Sequence, residues 1–343
     1  MPLSLRVDAV RWREHLRSYV AAHPEVVPVV KGNGYGLGRR RLAAEATALG
    51  VGTLAVGTYE EIADVAEAFA GDLLVLTPWR PGAGSAPAVD DPRVIHTVSR
   101  PEDARTLAGS GARIVLEVLT SVRRHGISED RLGEALAHLD GVSFEGWALH
   151  LPLVGDRQQE AQRLVSALPD ASRTATTVWA SHLDAAGATS LAETTATPVR
   201  LRVGTALWLG DRGALHAKAS VLDVHRLRRG ESYGYRQRRS RTASTLLVVA
   251  GGTAHGVGLE APSAAGTARQ RVLALSRGGL AATGRTLSPF TVSGHRAWFA
   301  EPPHMQCSLL WLPGSVQAPA VGDEVDVEVR FTTTLFDHIE LTG

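Results

Sequence analysis

A (β/α)8 barrel followed by a mainly-β domain is the fold class predicted for this chain of 343 residues. Three observations predict it: short apolar runs without polar alternation, helical stretches between several of them, and a change of texture near residue 215. An unbroken apolar run marks a strand buried on both faces, as in a parallel sheet covered by helices. The length suits two domains or a barrel with an appendage.

The predicted strands are 26–30, 53–56, 72–76, 94–97, 113–118, 142–149, 178–182 and 199–203, with helices at 40–49, 59–69 and 158–168 among the intervening segments. About eight such units in roughly 210 residues suit a closed TIM-like barrel. A doubly wound open sheet is the alternative; it calls for a glycine-rich dinucleotide turn, and Gly-Asn-Gly-Tyr-Gly at 32–36 lacks that spacing. Beyond residue 215 the segments 220–226, 242–249, 271–275 and 324–331 alternate in strand fashion between glycine turns, and 263–267 reads as a loop. The expected domains are therefore 1–214 and 215–343.

Composition excludes several classes. Hydrophobic residues make up 44%, charged residues 21%, and the formal net charge is +1, so no nucleic acid or anionic membrane is called for. The arginine-rich stretches 226–229 and 236–241 read as a solvated strand face. The sole cysteine, Cys307, permits no intrachain disulfide. The N-terminal residues lack a signal-type apolar region and no apolar run is long enough to span a bilayer, so a cytoplasmic protein is expected.

In a barrel, reactive groups sit at the C-terminal ends of the strands. Lys31 follows the apolar run Val-Val-Pro-Val-Val at 26–30. Desolvation there lowers a lysine pKa and frees a nucleophilic amine, which makes Lys31 a Schiff-base candidate. On spacing alone, a lysine reaching out of the barrel mouth is an equal reading.

The run Val-Val-Lys-Gly-Asn-Gly-Tyr-Gly at 29–36 resembles the signature of the alanine racemase family, the fold-type III pyridoxal-phosphate enzymes. The resemblance implies that Lys31 carries pyridoxal 5′-phosphate and that Tyr35 reaches its phosphate. Further strand ends agree in order. In 114–126, Thr120, Arg124 and Gly126 match the family segment, whereas Glu117, Leu119 and Val122 depart from it. Arg124 would contact the cofactor's phenolic oxygen and a substrate carboxylate, a task suited to a bidentate guanidinium. His150, closing Gly-Trp-Ala-Leu-His, falls where the family has a histidine beside the pyridine ring; on its own it reads as a packing residue. Arg202, in Arg-Leu-Arg-Val-Gly-Thr at 200–205, aligns with the arginine facing the pyridine nitrogen, where a permanent cation disfavours protonation; Arg200 shares its alternation phase. Gly204 and Thr205 would give backbone N–H groups to the phosphate. The family's phosphate-binding serine is replaced around Ala185 and Ala186.

In the second domain, Gly-Glu-Ser-Tyr-Gly at 230–234 and Pro-His-Met-Gln-Cys at 303–307 also resemble the family, placing Met305 at its substrate-contacting position and implying a head-to-tail homodimer. The departure is at 252–256, Gly-Thr-Ala-His-Gly, where the family has Gly-Tyr-x-Asp-Gly. Thr253 stands at the position of the catalytic tyrosine and His255 at that of the aspartate. A threonine hydroxyl is too weakly acidic for that acid–base role, whereas the unperturbed imidazole range suits it; a hydrogen-bonded turn histidine is an equal reading of His255. Three readings follow: an amino-acid racemase or epimerase using His255 or water, a one-base lyase or transamination-type enzyme using Lys31, and a non-catalytic cofactor-binding homologue.

Overall fold

The computed structural model describes residues 2–82, 91–169, 177–259 and 286–343. The chain splits into two compact units, Arg13–Gly210 and, discontinuously, Met1–Trp12 with Asp211–Gly343.

The first unit is a closed parallel barrel of eight strands: β2 (Val26–Val30), β3 (Thr53–Val56), β4 (Asp72–Val75), β5 (Val94–Val98), β6 (Arg113–Val118), β7 (Ser143–His150), β8 (Thr177–Ser181) and β9 (Val199–Val203). Each strand pairs with the next in sequence and β9 closes on β2. This is the TIM-like barrel predicted from the apolar runs. Side chains alternate along a strand, so one phase fills the barrel. That phase is Val27, Val29, Ala55, Leu74, Ile95, Val115, Ala148 and Trp179. Continued upward, it brings Lys31, Glu117, His150, Ser181 and Arg202 to the inner face of the C-terminal mouth. The helix expected at 59–69 is confined to Ile62–Ala66, because Tyr59 leaves helical register to bond His96 Nδ1 at 2.9 Å.

The second unit is an antiparallel assembly in which β10 (Leu215–Leu227) is the organising strand. Its first half lies beside β1 (Leu3–Asp8) and β17 (Glu324–Val327), and its second half pairs with β13 (Ser244–Ala250). β13 continues through β16 (Cys307–Pro313), β15 (His295–Phe299) and β14 (Leu287–Val292) to β17, which closes the circuit. β18 (His338–Thr342) adds to β1 in parallel, and β11 (Ser232–Tyr233) and β12 (Arg238–Arg239) form a separate ribbon. Leu3, Val221, Leu247, Val249, Phe290 and Leu310 are buried at its centre.

The expected division at 214/215 needs correction. Residues 3–8 alternate, burying Leu3, Leu5 and Val7, and pair with β10 instead of opening the barrel. The Arg11 guanidinium holds Asp211 at 2.7 Å, which keeps the start of the chain with the β unit. The strand expected at 271–275 and the loop at 263–267 lie outside the described residues. No helix among the described residues is long and apolar enough to cross a membrane.

Gly146 in β7 has φ +126°, and a Cβ there would collide with the Thr177 carbonyl of β8. Gly146→Ala is expected to cost about 2–3 kcal/mol, from left-handed backbone strain plus overpacking, read as a lowered urea midpoint at unchanged slope.

Candidate functional site

Lys31 leaves β2 into a tight turn, with Gly34 N–H donating to the Lys31 carbonyl at 3.0 Å. Beneath it sits Glu61, only 9% exposed, whose carboxylate accepts the Gly32 and Gly57 N–H groups at 2.7 Å each. Gly57 is glycine for a packing reason: a Cβ would stand 2.8 Å from Glu61 Oε2 and 3.0 Å from Lys31 Cβ. One carboxylate thus fastens the end of β3 to the turn that carries the amine. The Lys31 side chain is accessible. Partial desolvation lowers its amine from the ordinary lysine value, Arg124 and Arg202 add to the effect, and Glu61 opposes it.

Tyr35 is buried in a left-handed conformation, φ +55°. Its hydroxyl presses against Gly204, where a Cβ would overlap it, so residue 204 must be glycine. Burial, aided by Glu61, pushes the phenol up to about 12 and keeps it protonated. Gly204 precedes the short helix Thr205–Trp208, and Trp208 Nε1 donates to the Val29 carbonyl at 2.8 Å. That bond ties this turn to the strand bearing Lys31.

Arg124 arrives on a loop that folds back on β6: Leu119 N–H bonds the Ile127 carbonyl and Ile127 N–H bonds the Glu117 carbonyl. Gly126, at φ +130°, permits the return, since a Cβ would strike the Leu119 backbone. The Arg124 side chain is exposed. Arg202 is 7% exposed and donates from Nη2 to the Leu149 carbonyl at 2.8 Å. Burial lowers it to about 10, while Glu117 works against the fall. Arg200 is separated from it by geometry: it stacks over Trp179 at 4.5 Å and bonds Thr53, lower in the barrel.

Glu117 is 2% exposed, and burial raises its carboxyl against the pull of Arg202, Arg124 and Arg80. Glu117 Oε2 and Arg202 Nε are both buried with no hydrogen-bond partner among the described residues. Among the described residues no direct ion pair joins the two. His150 bonds Ser181 Oγ through Nδ1 at 3.1 Å, while its carbonyl accepts Thr120 Oγ1 at 2.7 Å. Burial, then Arg124 and Arg202, push its imidazole down to about 3.

The barrel mouth therefore gathers Lys31, Tyr35, Arg124, His150, Arg202, Gly204 and Thr205. Motif reading missed Glu61 and His182. Glu61 carries no motif signal, and His182 was read as the last residue of its strand.

Thr253, His255 and Met305 come together separately, within the β unit. Thr253 is exposed and its N–H bonds the His304 carbonyl at 2.8 Å; Ala254 N–H bonds that of Met305 at 3.0 Å. Met305 is exposed. His255 is buried with both ring nitrogens engaged: Nδ1 accepts the Gly252 N–H at 3.2 Å and Nε2 donates to Asp337 Oδ1 at 3.0 Å. Asp337 in turn accepts the Leu3 N–H at 2.9 Å. With neither nitrogen free, this geometry supports a structural clamp and gives the catalytic expectation for His255 no footing.

Neutralising Glu61 removes a charge that favours the ammonium form. In Glu61→Gln the pH midpoint for arylation of the Lys31 amine is expected to move lower than in the parent, as followed by peptide mapping.

A family model described as "Alanine racemase, N-terminal domain" matches residues 7–211. An alanine racemase of Symbiobacterium thermophilum is 32% identical over 156 residues, covering 42% of this chain and 41% of that protein. One from Mycobacterium bovis is 29% identical over 251 residues, covering 65% and 63% respectively. The matches thus span less than two thirds of these curated relatives. The crystal structure of alanine racemase from Bartonella henselae with covalently bound pyridoxal phosphate shares the fold at a TM-score of 0.71 and 18% identity, covering 96% of this chain and 91% of that one. With its barrel matched from residue 7 to 211 by that family model, the chain belongs to the alanine racemase family.

Proposed function

We propose that this protein is a pyridoxal-phosphate-dependent isomerase of an amino acid or amino-acid derivative. One observation carries the reading: Lys31 and Lys218 are the only lysines in the sequence. Lys218 is ion-paired to Asp326, whereas Lys31 ends an inner-face strand with a depressed amine beside Arg124 and Arg202.

The residues present fit the cofactor. Tyr35 and the Gly204–Thr205 turn form a cradle that a Cβ would fill, and they would hold its phosphate with a hydroxyl and backbone N–H donors. The unpartnered Arg202 Nε supplies a cation for the ring-nitrogen side, and His150 is a neutral ring for its flank. When bound, pyridoxal 5′-phosphate supplies an electron sink for the α-carbon of an amino acid. Arg202 moderates that sink by disfavouring a proton on the ring nitrogen. Arg124, exposed at the mouth, is suited to a substrate carboxylate. With the cofactor in place, Lys31 would be the amine that holds and moves a proton at this mouth. A head-to-tail homodimer in the cytoplasm, with Met305 meeting the substrate of the neighbouring subunit, belongs to the same proposal. So does a substrate bulkier than alanine, supported by the small side chains Ala185 and Ala186 and by Thr253.

Borohydride reduction of the purified holoprotein, followed by peptide mass spectrometry, is expected to leave the cofactor fixed on Lys31 alone. Lys31→Ala should lose the cofactor's visible absorbance; retention of that absorbance, or label on Lys218, would overturn the reading.

The locked His255 and the weakly acidic Thr253 favour a second reading, one-base chemistry at Lys31. Solvent deuterium entering the α-position with no change of handedness is the outcome expected from it, and racemisation at a matching rate excludes it.

A further inference from the structure

On β8 the inner phase carries Trp179 and Ser181, so simple alternation sends His182 outward. The backbone does otherwise. His182 adopts φ +65°, a left-handed step that residues with a Cβ seldom take. Its ring lies edge-on to that of His150, with centroids 5.1 Å apart and planes at 63°. The step is held from two sides: His182 Nδ1 lies 2.6 Å from the Leu151 carbonyl, and Arg157 Nη1 donates to the carbonyl of His182 itself at 2.8 Å. A carbonyl only accepts, so Nδ1 bears the proton and Nε2 keeps a bare lone pair. No partner for Nε2 occurs among the described residues. Strain of this kind, over-determined by neighbouring bonds, gathers at working sites.

We propose that His182 is a catalytic acid–base residue of the Lys31 site, exchanging a proton through Nε2 with the α-carbon of the amino-acid substrate. The proposal rests on the cofactor-dependent reading above. It supplies what the second unit lacks, since Thr253 is too weak an acid and His255 has both nitrogens committed. Acting as base, Nε2 takes the α-proton, the electron pair of the broken C–H bond stays on the substrate, and the Lys31 ammonium returns a proton to the other face. In the reverse direction the Lys31 amine removes the proton and the imidazolium returns one.

The charged and titratable groups around His182 are Arg202 from β9, Lys31 from the end of β2, Arg157 from the helix Arg157–Ser166 and His150 from β7. They are cationic or can become so. Burial lowers the His182 pKa first, the Leu151 carbonyl opposes the fall, and Arg202, Lys31 and Arg157 add to it. The resting ring is accordingly neutral near pH 7, as a base must be.

His182→Asn is the decisive variant, because asparagine tolerates the left-handed backbone and offers an amide N–H to the Leu151 carbonyl. In the free wild-type protein, nitrogen NMR should show His182 protonated at Nδ1 alone at pH 7; a proton on Nε2 overturns the proposal. In the holoprotein, α-deuterium uptake is measured for L- and D-alanine and for larger enantiomer pairs. The variant should keep wild-type cofactor absorbance and uptake from one enantiomer, and lose uptake from the other by about 100-fold or more. Equal uptake from both, equal loss of both at full occupancy, or no uptake from any pair by wild type overturns the proposal while leaving Lys31 attachment intact. Absent cofactor absorbance in the wild type removes the Lys31 reading, and this proposal with it.

Discussion

Charge confined within an apolar ring is the constraint on which the barrel mouth depends. Arg202 and Glu117 occupy the layer directly above Val115 and Trp179, almost wholly removed from water, and neither completes its hydrogen bonding among the described residues. A lone buried charge is costly, and its partners must be arranged before the site can exist. Much of the surrounding structure serves that arrangement. The Leu149 carbonyl holds Arg202, the glycine at 126 lets Arg124 return toward Glu117, and Glu61 places a second negative charge under Lys31. Three cations and two carboxylates share a small volume, so the charge of each is felt by the others.

Rigidity follows from how these groups are tied across strands. Glu61 binds the ends of β2 and β3, Thr120 binds β6 to β7, and Trp208 anchors the Gly204 turn to β2. Apart from the local Gly57–Glu61 contact, these bonds join neighbours that are distant in sequence, so the site is a property of the closed barrel and of no single segment. A catalytic group supported in this way is held by a shell of packed and bonded neighbours.

The sequence disclosed most of the barrel because double-sided burial writes itself as unbroken apolar runs: 26–30, 53–56, 113–118 and 199–203 match the observed strands. Lys31 was visible through its motif and its place at a strand end. What stayed hidden involves partners that local pattern cannot name. Residues 3–8 carry an alternation that reveals a half-buried strand only when set against β10, more than two hundred residues away. Glu61 resembles any surface glutamate of a helical stretch until its two backbone donors are seen. The sequence left His255 open between an acid–base role and a hydrogen-bonded turn because Asp337, which holds it, lies 82 positions on. The inward turn of His182 was not legible because the strand expected at 178–182 ends at Ser181, past which the backbone steps left-handed.

The amine inventory bears on chemical selectivity. Nearly all of the 36 basic side chains are arginine, which does not condense with aldehydes as an amine does, and the one lysine besides Lys31 is engaged with a carboxylate. An aldehyde reaching this protein therefore meets scarcely any rival side-chain amine. Off-target adducts, a standing hazard for lysine-rich surfaces exposed to reactive carbonyls, are suppressed here by composition before any binding pocket acts.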